Sequence, residues 1–320
     1  MNRWASALAM LALAAAGCAT PAPPGPGGFR FAVMGDTPYN AREEKAFVAM
    51  LGRLDREPIA FAIHVGDIKA GGNSPCTDAL YLERKAEFDR SLHPVVLTPG
   101  DNDWTDCRRK SNGAMDPIER LERMREIFFS TDRSLGRTPM ATRAQSQCIV
   151  PVLPECGCAA HAENRMWMRG GVTFVTLDVP GSHDNVGYDE SNDREALCRE
   201  EANRQWLEEA LREARAANGM GLVIAMQADP WATTKPVYRG LLSEIADVGK
   251  RFGRPVLLVH GDTHAYRLDW PFRDADGTPI DNITRLETYG SPLVGWVEVI
   301  VDPSDPRLFR VDPHLEAMVR

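Results

Sequence analysis

Apolar and polar positions fall into short alternating blocks along this chain. Phe29–Gly35 (FRFAVMG) is an apolar run closed by glycine and predicts a buried strand. Asn40 can cap a helix over Ala41–Leu54, with Glu43 and Glu44 in its first turn. Ile59–Gly66 (IAFAIHVG) predicts a second strand, Thr77–Arg90 a helix and Pro94–Gly100 (PVVLTPG) a third strand. This strand–helix–strand rhythm indicates an α/β layer with a largely parallel sheet. It breaks over residues 102–163, which are expected to form a loop-rich insertion. Within that stretch Pro117–Phe129 reads as a helix with proline in its first turn, and Thr131–His161 reads as irregular. Strand character resumes at Met166–Met168 and Val172–Leu177. A long amphipathic helix follows over Asp193–Ala217, then a strand at Leu222–Met226, a helix at Leu241–Phe252 and a strand at Val256–Val259. Ile283–Val311 holds short β-rich pieces.

The pattern before Phe29 is of another kind. Arg3 precedes an almost unbroken apolar run, Ala5–Ala16, which is too short to span a bilayer as a stable helix. It ends in Ala15-Ala16-Gly17-Cys18, which resembles a bacterial lipoprotein signal whose cysteine becomes the lipidated first residue. An ordinary secretory signal cut nearby is the alternative. Residues 1–17 are therefore expected to be a signal peptide, 18–28 a Pro/Gly-rich tether and 29–311 the folded domain. The reading places the protein outside the cytoplasm, in the periplasm or as an outer-membrane lipoprotein of a bacterium. Any membrane contact would run through lipid on Cys18.

Composition narrows the function classes. The 320 residues are 43% hydrophobic and 26% charged, as in a soluble globular protein. The net charge of −8 shows no basic footprint, which argues against general nucleic-acid binding and leaves a small phosphorylated ligand open. Beyond Cys18 there are six cysteines, Cys76, Cys107, Cys148, Cys156, Cys158 and Cys198. An even count in an exported chain suggests disulfides, and Cys156-Gly157-Cys158 as half of a zinc site is the alternative. Cys76 and Cys107 are expected to pair, because each follows the end of one of two strands read as neighbours.

The chemistry concentrates at strand ends. Three predicted strands close in Gly-Asp: Gly35-Asp36, Gly66-Asp67 and Gly100-Asp101. A fourth leads into His260-Gly261-Asp262-Thr263-His264. In an open α/β sheet the ligand site lies beyond the carboxyl ends of the strands. A single Gly-Asp is ordinarily a turn or a helix cap. Together, however, these ends would gather Asp36, Asp67, Asp101, Asp262 and His264 in one crevice. Carboxylates that close do not all stay ionised without a cation between them, so the set points to a metal site.

These motifs, in their order and separation, resemble the calcineurin-like metallophosphoesterases over roughly residues 29–301. The resemblance implies a four-layer α/β/β/α sandwich and phosphoester hydrolysis by a hydroxide held at a two-metal centre. The ions would be drawn from Mn, Mg, Fe or Zn, and the substrate would be a small phosphorylated molecule. The family pattern runs D-x-H, G-D, G-N-H-D/E, a lone histidine after a strand, then G-H-x-H. Gln205-Trp206-Leu207 is similar to the family's Q-x-x-W-L in compressed form. Asp36, Asp67 and His264 match; Asp67 would bridge the ions. Pro38 stands in the first histidine position, with Tyr39 next to it. Gly100-Asp101-Asn102-Asp103 replaces G-N-H-D/E, so either Asp101 or Asn102 is the ligand and Asn102 occupies the place of the catalytic histidine. Gln227 stands for the lone histidine and Asp262 for the first histidine of the last motif. Every replacement at a ligand position except Pro38 can bind metal through oxygen, which indicates a reshaped site and not an erased one. The second ion's set, Asp67, Asp101 or Asn102, Gln227 and Asp262, is all oxygen and suits Mn or Mg better than Zn.

Asn102, Asp103 and His183 are the candidate catalytic residues, and Tyr39, Arg108 and Arg109 the candidate substrate contacts. For His183 a solvated loop position is the alternative, and for Arg108 and Arg109 a solvated basic turn with Lys110. His64 reads as a core histidine or one turned to the crevice. Trp104 and Trp231 read as aromatic walls or as packing. The rival function is a surface-anchored binding protein that keeps the fold without catalysis. An acyl hydrolase has no support, since no G-x-S-x-G elbow is present.

Overall fold

A computed structural model describes residues 23–146, 156, 160–274 and 276–319. The signal segment 1–17, Cys18, Cys148 and Cys158 lie outside the described residues. In chain order the strands are β1 (Phe29–Met34), β2 (Ala62–His64), β3 (Val95–Leu97), β4 (Arg143–Gln145), β5 (His161–Arg169), β6 (Val172–Thr176), β7 (Gly221–Ala225), β8 (Val256–His260), β9 (Arg267–Asp269), β10 (Ile283–Glu287), β11 (Leu293–Val301) and β12 (Phe309–Met318). The helices are α1 (Ala41–Leu54), α2 (Asp78–Phe88), α3 (Pro117–Phe128), α4 (Glu190–Ala216) and α5 (Arg239–Phe252).

The strands form two sheets, of order β12-β11-β1-β2-β3 and β4-β5-β6-β7-β8-β10-β9. β1, β2 and β3 run parallel, as do β6, β7, β8 and β10, so two sets of carboxyl-terminal strand ends open on one rim. The sheets pack face to face through aromatic rings: Phe31 and Phe61 of the first sheet each meet Phe174 of the second edge-on, with centroids 5.3 and 5.1 Å apart. On the outer face of the first sheet, Phe47, Met50, Leu54, Tyr81 and Phe88 from α1 and α2 are buried. On the outer face of the second, Trp206, Leu207 and Leu211 of α4 and Ile245 and Val248 of α5 are buried. The result is the expected α/β/β/α layering.

The helix signals act as anticipated. The Asn40 side chain accepts the amides of Arg42 and Glu43, and Pro117 opens α3, where Asp116 adds a cap that the pattern does not mark. Three departures have physical causes. β5 begins at His161, inside the stretch read as irregular, because Glu163, Asn164 and Arg165 are buried polar residues with partners and so break the apolar pattern. Glu163 pairs with Arg125 at 2.5 Å, and the Asn164 amide donates to Gln145 and Asn203 at 2.8 Å each. α4 starts three residues early, at Glu190, since Asp189 accepts from the amides of Ser191 and Asn192. The tail holds two long strands, and β12 pairs with β11 from Phe309 to Met318, across position 311.

Two disulfides are present, Cys76–Cys107 and Cys156–Cys198, with Cα–Cα distances of 5.7 and 5.4 Å. Cys156 therefore pairs with a cysteine of α4 and not with a metal.

Candidate metal centre

Each expected ligand follows the carboxyl end of a strand: Asp36 follows β1, Asp67 β2, Asp101 and Asn102 β3, Gln227 β7, and Asp262 and His264 β8. Asp36, Asp67, Asp262 and His264 all have left-handed backbone, with φ of 52°, 57°, 81° and 64°. Four non-glycine residues in that region are costly unless their surroundings hold them, and such strain concentrates at functional sites. Here the hold is visible. The Asp36 amide donates to Gly66 O at 3.0 Å, and the Asp262 amide to both Asp36 carboxylate oxygens at 3.1 Å. The second of these contacts ties the two sheets together at the site.

Ligand atoms of Asp36, Asp67 and His264 all lie within 4.8 Å of one another. The His264 Nδ1 faces Ser291 O at 2.7 Å, which leaves Nε2 turned to the cluster, 3.9 Å from Asp36 Oδ1. The Tyr39 hydroxyl sits among these groups. It donates to Asp67 Oδ2 at 2.8 Å, lies 3.2 Å from His264 Nε2, and accepts from Asn102 Nδ2 at 3.0 Å. Asn102 Nδ2 also reaches Asp67 Oδ2 at 2.5 Å, and the Asn102 amide donates to Asp67 Oδ1 at 3.0 Å. Tyr39 and Asn102 are thus packed on the Asp67 carboxylate itself.

The second group is Asp101, Gln227 and Asp262. Gln227 is fully buried, with Nε2 3.2 Å from Asp101 Oδ1 and 3.4 Å from Asp262 Oδ1. Gly181 closes this pocket. A Cβ there would lie 2.8 Å from Asp262 Oδ1 and 3.1 Å from Asp101 Oδ1, so only glycine lets the chain lie against both carboxylates.

The electrostatics fit a cation. Burial, then the charge of Asp262, pushes the Asp36 carboxyl well above its usual range; burial, then Asp101, does the same to Asp67. The Asp262 carboxyl is pushed up to about 7 by burial and by Asp101. Buried carboxylates this close resist joint ionisation, and a divalent ion is the group that relieves them. Nitrogen-and-oxygen donors in the first group and oxygen donors in the second are a workable set for such ions.

Asp103 takes a different place from the one expected. It is fully buried, and its carboxylate accepts from the amides of Asp67, Ile68 and Gly100 at 2.9, 2.8 and 2.8 Å. It braces two ligand loops and offers no free oxygen to the crevice. His64 is a core histidine, fully buried against Phe47 and Phe88 with Nε2 3.2 Å from Thr37 O. Burial lowers its pKa to about 4. Trp104 is fully buried packing, and Trp231 lies under the Arg285 guanidinium, 4.4 Å from its centroid. Arg109, His183 and Arg108 stay on the rim. Arg109 reaches Ser182 Oγ at 3.4 Å, and Arg108 lies 3.2 Å over the Tyr188 ring.

The residue pattern did not reveal Lys69, whose ammonium is 1% exposed and donates to Ala70 O and Asn102 O at 2.8 Å each. Its position two residues after Asp67 was the only available signal. Ser182 was equally unmarked, yet its hydroxyl donates to Asp101 Oδ2 at 2.5 Å.

The sequence profile of the calcineurin-like phosphoesterases matches residues 29–266, the span that carries every one of these ligands. The chain belongs to the calcineurin-like phosphoesterase family. Phosphoester hydrolysis is the general activity of that family, and its members usually hold divalent metals. Among solved structures, the chain is similar to GAP50, the anchor in the inner membrane complex of Plasmodium, at 9% identity and a TM-score of 0.50. The match covers 92% of this chain and 90% of that one. It is also matched to Vps29 from Entamoeba histolytica, solved with Zn2+, at 11% identity and a TM-score of 0.23, over 90% of this chain and 99% of that one. No curated protein matches the chain. As a calcineurin-like phosphoesterase it departs from the family's motifs at Pro38, Asp101, Asn102, Gln227 and Asp262.

Proposed function

We propose that this protein is a metal-dependent phosphoester hydrolase with two ion positions. The observation that supports this most is the convergence of Asp36, Asp67 and His264 ligand atoms within 4.8 Å at the strand ends. Asp36, Asp67 and His264 would hold one ion, and Asp67, Asp101 or Asn102, Gln227 and Asp262 the other. Bound there, divalent ions would lower the pKa of water and offset the charge that develops on the phosphoryl oxygens. The chain's own residues do the positioning. Tyr39 and Asn102 fix both oxygens of Asp67, and Ser182 fixes Asp101. Asn102 donates hydrogen bonds to these groups but has no acidic proton to give a leaving group, so protonation falls to water or to the rim, where His183 stands. Export as a lipoprotein through Cys18 is part of this reading; two disulfides support an oxidising compartment.

The second reading is a binding protein on the same fold. Asn102 in place of the acid favours it, as does the fold likeness to GAP50, an anchor. One experiment separates the two. Stripped protein is reloaded with each ion and assayed with p-nitrophenyl phosphate and bis(p-nitrophenyl) phosphate. Turnover that depends on added ion and disappears in Asp36→Ala supports the hydrolase. Tight ion binding without turnover of either ester supports the binding protein.

A further inference from the structure

Residues Ser182, His183, Asp184 and Asn185 carry φ of 46°, 62°, 57° and 63°, a full left-handed turn without glycine. A run of four such residues persists only where the surroundings hold it. The turn is held from beneath by Arg199, which is fully buried and donates to the Asp184 carboxylate at 2.6 Å and to Asp184 O at 3.1 Å. The Tyr238 hydroxyl holds its entry, donating to Pro180 O at 2.7 Å. The effect is to aim two neighbouring side chains in opposite directions. Ser182 turns inward to Asp101, and His183 turns outward, its Nδ1 3.3 Å from Lys235 Nζ.

Positive charge gathers on that outward side of an acidic protein. Arg108 and Arg109 share one carboxylate, Asp106, at 3.6 and 2.6 Å, which leaves one of the two charges unbalanced. Among the described residues no carboxylate pairs with Lys235; its polar neighbour is the His183 imidazole. Partial burial, Lys235 and Arg108 all hold that imidazole toward its neutral form. Cations brought together around a neutral donor, without the acids that would balance them, form an anion site.

We propose that Arg108, His183 and Lys235 form a clamp for a second anionic group, so that the substrate is a phosphoester bearing a further phosphate or carboxylate beyond the scissile one. This rests on the hydrolase reading for the scissile end. Ser182 joins the two ends: its hydroxyl is on Asp101, and the residue after it carries the clamp. Tyr188, which lies under Arg108 and whose hydroxyl donates to Ser182 O at 3.2 Å, fixes the height of that guanidinium.

The test compares fructose 1,6-bisphosphate with fructose 6-phosphate, which differ by one phosphate on the same sugar. Calorimetric Kd on Mn-loaded protein and kcat/KM for orthophosphate release are both measured. The bisphosphate is expected to bind about tenfold or more tightly than the monophosphate, as one charge-assisted phosphate contact would give. Lys235→Ala should lower that ratio about tenfold, and Lys235→Arg should restore most of it, with unchanged thermal melting in both. Equal affinity for the two sugars in the parent, binding of neither, or an unchanged ratio in Lys235→Ala overturns the clamp. If neither sugar phosphate is hydrolysed while the Kd ratio behaves as stated, the hydrolase reading fails and the clamp stands.

Discussion

The two halves of the candidate centre are built differently. Asp36, Asp67 and His264 form a mixed oxygen and nitrogen set, close together, with left-handed backbone at every member. Asp101 and Asp262 offer carboxylate oxygens, and the neutral Gln227 amide stands between them, its Nε2 toward both and its oxygen accepting from the Gly181 amide at 2.6 Å. The first half matches the family at each of its three residues; the second differs at every position. In the second half, Asp101 stands where the family has asparagine, and Gln227 and Asp262 stand where it has imidazoles. This difference teaches that the geometry of a strand-end site can survive while the hardness of its donors changes. The positions are set by backbone, whereas the chemistry is set by side chains.

The sharpest way to break the comparison is to remove the residue common to both halves. Asp67→Ala should take away most bound metal and lower any ester hydrolysis on the order of a thousandfold, with the fold retained. Elemental analysis, a p-nitrophenyl phosphate assay and circular dichroism check the three parts. Unchanged metal content would show that Asp67 bridges nothing.

A smaller effect should separate the halves. Asp262→Ala and Gln227→Ala should each lower metal stoichiometry from two toward one. The weaker site should be filled by Mn or Mg in preference to Zn, because hard oxygen donors favour those ions. Calorimetry of stripped protein with each ion reads this directly. If Zn alone restores function, or if both variants keep full stoichiometry, the second half is not a hard site.

The smallest effect concerns pH. In metal-free protein the carboxyls of Asp36 and Asp67 lie well above their usual range, and Asp262 and Asp103 near 7, burial being the first cause in each. The unfolded chain ionises these groups near the ordinary value of 3.8, so it binds fewer protons than the native state above that pH. Stability of the stripped protein should therefore fall as pH rises from about 4 through 7. Saturating Mn should flatten that slope, raise the midpoint and add about 2.7 kcal/mol of stability at a hundredfold excess over Kd. Thermal melts at several pH values, with and without Mn, measure both. A stripped protein that gains stability over this range would contradict the crowded-carboxylate picture.

Much of the site was legible because Gly-Asp recurs at strand ends, and alternation into a crevice follows from strand geometry. Asp103 was misread for the same reason: its position in the motif says nothing about which way a side chain points. In the fold it accepts three backbone amides from two loops. The first half of β5 was missed because hydrophobic periodicity cannot recognise a strand stretch whose buried residues are Glu163, Asn164 and Arg165. Their partners, such as Arg125 on α3, are far away in sequence.

By itself the sequence determined the α/β rhythm, the cap that starts α1, the proline that opens α3 and the strand-end carboxylates, and it made the pairing of Cys76 with Cys107 an expectation. These depend on local propensity or on the order of elements. Only the tertiary structure decided that Tyr39 and Asn102 pack on Asp67, that Ser182 reaches Asp101, and that His183 meets Lys235. Each of those contacts joins loops from different strands, and their directions depend on how two twisted sheets meet at one rim. The left-handed turn at Ser182–Asn185 makes the same point. Asp184 and Asn185 tolerate that conformation, but the run of four is held by a buried arginine 14 residues later in the chain, Arg199.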